Sequence, residues 1–211
     1  MKVCSIVAAG PSPLYLARDS FIIAVDGGQE KLAVAGIRPD CILGDFDSSP
    51  LPKNKEKVLT FPKEKDETDT VLAIDLAARL GCDTLYISGG VGGRLDHTVA
   101  NLQSLAYASK RQLSAFLCDG GSVTTLLTAG TARLTKGGGL CSLFAFGGDA
   151  CVSLDGLKYE GEKLSLTCDF PLGVSNERKA DAEACITVHQ GQVLLYWEGT
   201  PEELCFTKGA K

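Results

Sequence analysis

Cys41-Ile42-Leu43-Gly44-Asp45-Phe46-Asp47-Ser48 is an apolar run that stops at a glycine and turns acidic. The run reads as the end of a buried strand, and Gly44 lets the backbone turn there. Positions i and i+2 of an extended chain point to the same side, so Asp45 and Asp47 converge if that geometry persists. Two clustered carboxylates repel unless positive charge sits between them, and a hard divalent cation with oxygen ligands is the natural candidate. Taken alone, D-x-D reads first as a polar strand-end turn. The rest of the chain decides between the two.

Around this stretch, short apolar runs alternate with helical patterns. Val3–Ala8, Phe21–Val25, Cys41–Leu43, Lys57–Phe61, Leu85–Ser88 and Leu113–Cys118 read as strands. Thr68–Leu80 carries apolar residues at 72, 76 and 80 with Gly81 as a stop, and Asp96–Arg111 places Val99, Leu102 and Leu105 on one face. Such alternation implies an α/β domain with a mostly parallel, doubly wound sheet. After about residue 120 helical periodicity gives way to β-rich runs: Val123–Leu127, Ala132–Leu134, Leu140–Phe146, Lys163–Thr167, Ala184–Val188 and Val193–Trp197. Close Gly-Gly, Asp-Gly and Gln-Gly turns separate them, so a small antiparallel β-sandwich or barrel is expected. With Gly120-Gly121 as the junction, the domains are taken as residues 1–122 and 123–211.

The 211 residues suffice for one large domain or two small ones, and 45% hydrophobic with 22% charged residues is ordinary for a globular protein. A net charge of −5 argues against a nucleic-acid or anionic-membrane surface. Phosphate ligands stay open, because a metal and a few Lys or Arg reverse the local field. The nine cysteines are odd in number, lack a C-x-x-C pair and mostly sit in apolar runs. They read as small buried hydrophobes in a reducing compartment, without a cysteine-ligated zinc site. The run Val3–Ala9 is too short for a membrane span and reads as a first strand, not a leader, so a cytoplasmic location is expected.

Ligands of an open parallel sheet collect beyond the carboxyl ends of its strands. Four polar clusters fall there: Asp26-Gly27-Gly28, the Gly44–Ser48 stretch, Lys63–Asp69, and Gly89-Gly90-Val91-Gly92-Gly93-Arg94-Leu95-Asp96-His97. Each alone has an ordinary reading as a turn, a helix cap or a solvated loop. Together they describe a phosphate and cation site. Four glycines in five residues let the backbone approach a polyphosphate, and the helix behind them favours an anion. Arg94 has the fork for phosphate oxygens and Lys65 a mobile charge, while Asp45, Asp47 and Asp69 suit Mg²⁺. Neither a P-loop motif nor G-x-G-x-x-G spacing occurs.

The ordered set D-G-G, G-D-F-D-S, K-D-x-T-D and G-G-x-G-G-R-x-D-H over residues 26–97 resembles the thiamine pyrophosphokinase family. Gly173-Val174-Ser175-Asn176-Glu177 looks like that family's vitamin-binding Ser-Asn motif. The resemblance implies that Asp45, Asp47 and Asp69 bind Mg²⁺, and that Asp26, Gly27, Gly28, Lys65, Thr68, Gly92, Arg94 and His97 line the nucleotide. It implies Asp96 beside the substrates, Ser175 and Asn176 at the vitamin, and an aromatic against its rings, for which Tyr159, Tyr196 and Trp197 are candidates. It also implies a homodimer whose active sites lie at the subunit interface, between the α/β domain of one subunit and the β-domain of the other. The implied reaction passes the pyrophosphoryl group of ATP to the thiamine hydroxyl, releasing AMP. Asp96 or His97 would take the hydroxyl proton. Competing readings are a Mg²⁺-dependent nucleotide or sugar-phosphate hydrolase and a nucleotide-binding module without turnover.

Overall fold

The computed structural model describes residues 2–44, 58–60 and 66–209. Chain contacts divide it into two compact units, Met1–Gly120 and Gly121–Lys211. In the first unit six strands form a parallel array: β1 (Val3–Val7), β2 (Phe21–Val25), β3 (Cys41–Gly44), β4 (Val58–Thr60), β5 (Thr84–Ser88) and β6 (Ser114–Cys118). Their order is β6-β5-β1-β2-β3-β4. The chain runs outward from β1 to β4, then returns to β5 on the other side of β1. The point where the order reverses therefore lies between β1 and β5, and its carboxyl edge is where such sheets bind ligands.

Helices α1 (Gly28–Val34), α2 (Asp69–Arg79) and α3 (Leu95–Lys110) cover this sheet. Leu32 of α1 packs with Val7, Ala24 and Ile42, which by strand alternation share one face. Ile6, Ile23 and Leu43, of the opposite parity, are fully buried too, and α2 packs against β1, β2 and β3. Strands buried on both faces produce the continuous apolar runs seen in the sequence. Thr68 is the N-cap of α2, its Oγ1 accepting from Val71 N–H at 3.3 Å. Such a cap contributes about 1 kcal/mol.

The second unit is all β. One antiparallel sheet has the order β12-β9-β14-β7, from β7 (Ser122–Leu127), β9 (Leu140–Ala145), β12 (Gly173–Glu177) and β14 (Val193–Glu198). The other runs β11-β10-β13-β8-β15, from β8 (Gly130–Leu134), β10 (Ala150–Asp155), β11 (Gly161–Leu166), β13 (Ala184–Gln190) and β15 (Leu204–Lys208). Burial alternates along β7, β8, β10 and β13, the signature of sheets that bury one face each. The α/β fold with a following antiparallel sandwich is thus the architecture expected from the sequence.

Among the described residues, α1, β10, β12, β15 and the short 3-10 helix Pro201–Glu203 had no counterpart in the sequence reading. The cysteines also divide differently from expectation. Cys4, Cys41, Cys82, Cys118 and Cys141 are buried, and burial pushes the Cys141 thiol up to about 12. Cys168 and Cys205 are exposed, the latter on the edge strand β15, where only one side of the ladder is paired. Among the described residues no helix is long and apolar enough to cross a membrane.

Candidate active site

Asp26 follows β2 with a left-handed backbone (φ 47°), and its carboxylate lies against β3. Its N–H donates to Leu43 O at 2.9 Å, locking the end of β2 to that of β3. A Cβ on Gly44 would lie 2.1 Å from Asp26 Oδ1, so the carboxylate occupies the space a side chain would take. Any residue but glycine there would push the carboxylate aside. The arrangement brings Asp26 against the start of the acidic stretch. Gly27 caps α1, and a Cβ on Gly28 would meet Val7 O at 1.9 Å, so close approach of α1 to β1 also requires glycine.

Asp69 is the first residue of α2, half-buried, directly after the Thr68 cap. Asp45, Asp47 and Lys65 lie outside the described residues. Among the described residues no three His, Cys, Asp or Glu side chains form a metal-holding group.

After β5 the glycine loop is pinned from α3, where buried Asn101 donates from Nδ2 to Gly90 O at 2.7 Å. Gly89 and Gly92 adopt φ 71° and 82°, a backbone that favours glycine. Arg94 sits at the N-cap of α3 and makes a two-pronged pair with Asp96, Nε to Oδ1 at 3.1 Å and Nη2 to Oδ2 at 2.5 Å. His97 N–H also donates to Asp96 Oδ1 at 3.0 Å. The Arg94 hydrogen bonds hold the Asp96 carboxyl below its ordinary range, and Asp96 in turn raises Arg94. Both side chains are well exposed, so the pair orients rather than stabilises. Arg94 retains three N–H donors for another partner.

In the second unit, Ser175 has φ 58° on a strand bulged between Gly173 and Asn176. Its N–H donates to Ser142 Oγ at 3.0 Å and its side chain is exposed. Asn176 is 4% exposed, its Oδ1 accepts from Tyr159 N–H at 3.0 Å and Glu177 N–H at 2.9 Å, and its Nδ2 donates to Tyr159 O at 2.9 Å. Two of these bonds fix the Tyr159 backbone. Of the three candidate aromatics, Trp197 is fully buried with Nε1 on Thr200 O, Tyr196 is half-buried, and Tyr159 is 63% exposed.

Sequence reasoning missed Arg178. Its guanidinium is buried, pairs with Glu203 at 2.5 Å, and donates to the carbonyls of Gly138 and Glu198 at 2.9 and 2.8 Å. No sequence motif marks it, because two of its three partners are backbone oxygens.

The profile "Thiamin pyrophosphokinase, catalytic domain" matches residues 13–117, and "Thiamin pyrophosphokinase, vitamin B1 binding domain" matches residues 131–193. The chain is 32% identical over 192 residues to the thiamine pyrophosphokinase of Bacillus subtilis (strain 168), covering 84% of this chain and 90% of the relative. It is 28% identical over 154 residues to thiamin pyrophosphokinase 1 of Caenorhabditis elegans, covering 66% of this chain and 62% of that one. Among solved structures, thiamine pyrophosphokinase from Bacillus subtilis superposes with a TM-score of 0.82 at 27% identity, over 93% of this chain and 99% of the other. Thiamin pyrophosphokinase from Candida albicans shares the fold, with a TM-score of 0.77 at 16% identity over 94% and 90% of the two chains. With both halves matched by one family, in the order its motifs run, the chain belongs to the thiamine pyrophosphokinase family.

Proposed function

We propose that the carboxyl edge of the parallel sheet holds ATP and Mg²⁺ while the pyrophosphoryl group passes to thiamine, yielding thiamine diphosphate and AMP. Family membership supports the reaction, and the observation that carries the placement is the Asp26 carboxylate lying over Gly44. Asp26 presents carboxylate oxygens there and the sequence runs on into Asp45 and Asp47, the donor chemistry a hard cation selects. Asp45, Asp47 and Asp69 would hold Mg²⁺, with Asp26 beside them. Bound there, the ion would neutralise charge on the phosphate oxygens.

The chain's own groups then have distinct tasks. The Gly89–Gly93 backbone, Gly92 included, lets phosphates approach, and Gly27 and Gly28 do the same after β2. Thr68 accepts at its hydroxyl oxygen from the cap, which leaves its proton to donate to a phosphate oxygen. Arg94, held in place by Asp96, directs its remaining donors at the phosphates, and Lys65 adds charge. The thiamine hydroxyl oxygen attacks the β-phosphorus, the bond to the α-phosphate oxygen breaks, and AMP leaves with that electron pair. Both Asp96 oxygens already serve Arg94 and its affinity for protons is reduced, so we assign the hydroxyl proton to His97. Positioning and charge neutralisation carry such a transfer.

In the second unit, Ser175 and Tyr159 would meet the vitamin, with Asn176 holding Tyr159 in position. The functional particle in this reading is a cytoplasmic homodimer with active sites at the subunit interface. The direct test is to supply ATP, Mg²⁺ and thiamine and follow products. Equal amounts of AMP and thiamine diphosphate are expected. ADP in place of AMP, or AMP without the diphosphate, overturns the assignment.

A further inference from the structure

At the β1/β5 switch point a lysine that no motif marks is tied into the glycine loop through two parallel paths. Lys31, on α1, donates from Nζ to Gly10 O and, at 2.6 Å, to Ser12 O. The same two residues grip Gly89. Gly10 N–H donates to Gly89 O at 2.9 Å, and Ser12 Oγ accepts from Gly89 N–H at 3.0 Å. Ser12 is 4% exposed, so the second path runs inside the protein. The packing is tight: a Cβ on Gly10 would lie 2.3 Å from Gly89 O, and one on Gly89 would lie 3.3 Å from Lys31 Nζ. Further along the loop, Cβ positions on Gly92 and Gly93 both fall 3.4 Å from the Pro11 ring. The 10–12 turn is therefore the wall against which the loop leading to Arg94 rests.

Holding a lysine in this way is costly in itself. A four-carbon side chain loses rotamer freedom, and the partial burial of Lys31 pushes its ammonium below the usual lysine range, with Asp119 after β6 opposing the shift. A turn that needed only to be stable would satisfy its carbonyls with water or backbone N–H groups. What the lysine supplies is a fixed connection from α1, beside Asp26-Gly27-Gly28, to the loop after β5.

We infer that Lys31 is a positioning residue for ATP, holding the Gly89–Arg94 loop in its phosphate-binding geometry through Gly10 and Ser12. This rests on the reading that ATP phosphates lie at that loop. Lys31→Met should raise KM for ATP roughly tenfold, with KM for thiamine changing less than about twofold. Amide exchange at Gly89 should quicken by a similar factor, and Lys31→Arg should retain most of the wild-type behaviour. Ser12→Ala cuts only the second path and should fall between the two. If Lys31→Met folds poorly, Ser12→Ala and Lys31→Arg still decide. Unchanged Gly89 exchange in Lys31→Met and Ser12→Ala, or equal rises in KM for both substrates, overturns the inference. Arg94→Ala separates the failures. A raised KM for ATP there with none in Lys31→Met removes the role of Lys31, whereas no rise in Arg94→Ala removes the nucleotide placement beneath it.

Discussion

Gly44 concentrates the argument in one atom that is missing. Its place opposite Asp26 leaves the Asp26 oxygen 2.1 Å from where a Cβ would stand, and that separation cannot be kept by a real side chain. In Gly44→Ala the carboxylate must therefore swing away by an ångström or more. Misplacement on that scale costs about 100-fold in rate when the displaced group orients reactants. We expect turnover to fall by that order and the Mg²⁺ concentration for half-maximal activity to rise. Circular dichroism should show the fold retained, because the end of β3 is already at the rim of the sheet. Near-wild-type turnover with unchanged Mg²⁺ dependence would place the cation elsewhere. The sequence alone read Gly44 as a turn residue, whereas it is the last paired residue of β3, and the preference for glycine comes from Asp26, eighteen positions earlier, visible only once β2 and β3 pair.

At the level of elements, the strands of the parallel sheet were legible because burial on both faces writes them as unbroken apolar runs. Helices α2 and α3 were legible through their stripes, caps and stops. What escaped has physical reasons. Helix α1 has seven residues and buries only Gly28 and Leu32, too little to make a stripe. Strand β12 is mostly exposed and bulged, and β15 is an edge strand with no fully buried position, so neither carries a strong apolar pattern. The cost fell on the site. Asn176 was readable as a functional polar residue, but its buried position under Tyr159 depends on the β12 pairing. Asn176→Ala strips partners from the Tyr159 N–H and carbonyl and from Glu177 N–H. We expect a stability loss of about 2–3 kcal/mol by urea denaturation, from polar groups left unpaired. KM for thiamine should rise at least about fivefold through a displaced Tyr159, while KM for ATP stays put. Equal KM values for thiamine in the two proteins would make Asn176 a structural residue alone.

For the molecule as a whole, the two units carry different chemistry. The carboxylates and the glycine loop belong to Met1–Gly120, whereas Ser175, Asn176 and Tyr159 belong to Gly121–Lys211. In the proposed reading each transfer needs groups from both units, and the proposed homodimer draws them from different subunits. Complementation distinguishes this from a site built within one chain. Asp47→Ala should abolish turnover from the first unit, and Tyr159→Ala should raise KM for thiamine strongly from the second. In a mixed dimer with two-fold symmetry, one site collects both defects and the other collects neither. Refolding the two variants together at equal amounts should then recover about a quarter of wild-type sites with wild-type KM for thiamine, since half the dimers are mixed and each has one intact site. Sites built within single chains give no such recovery, because every chain carries a defect. Activity of the mixture equal to the sum of its separate parts, with light scattering showing that dimers form, would rule out the shared site.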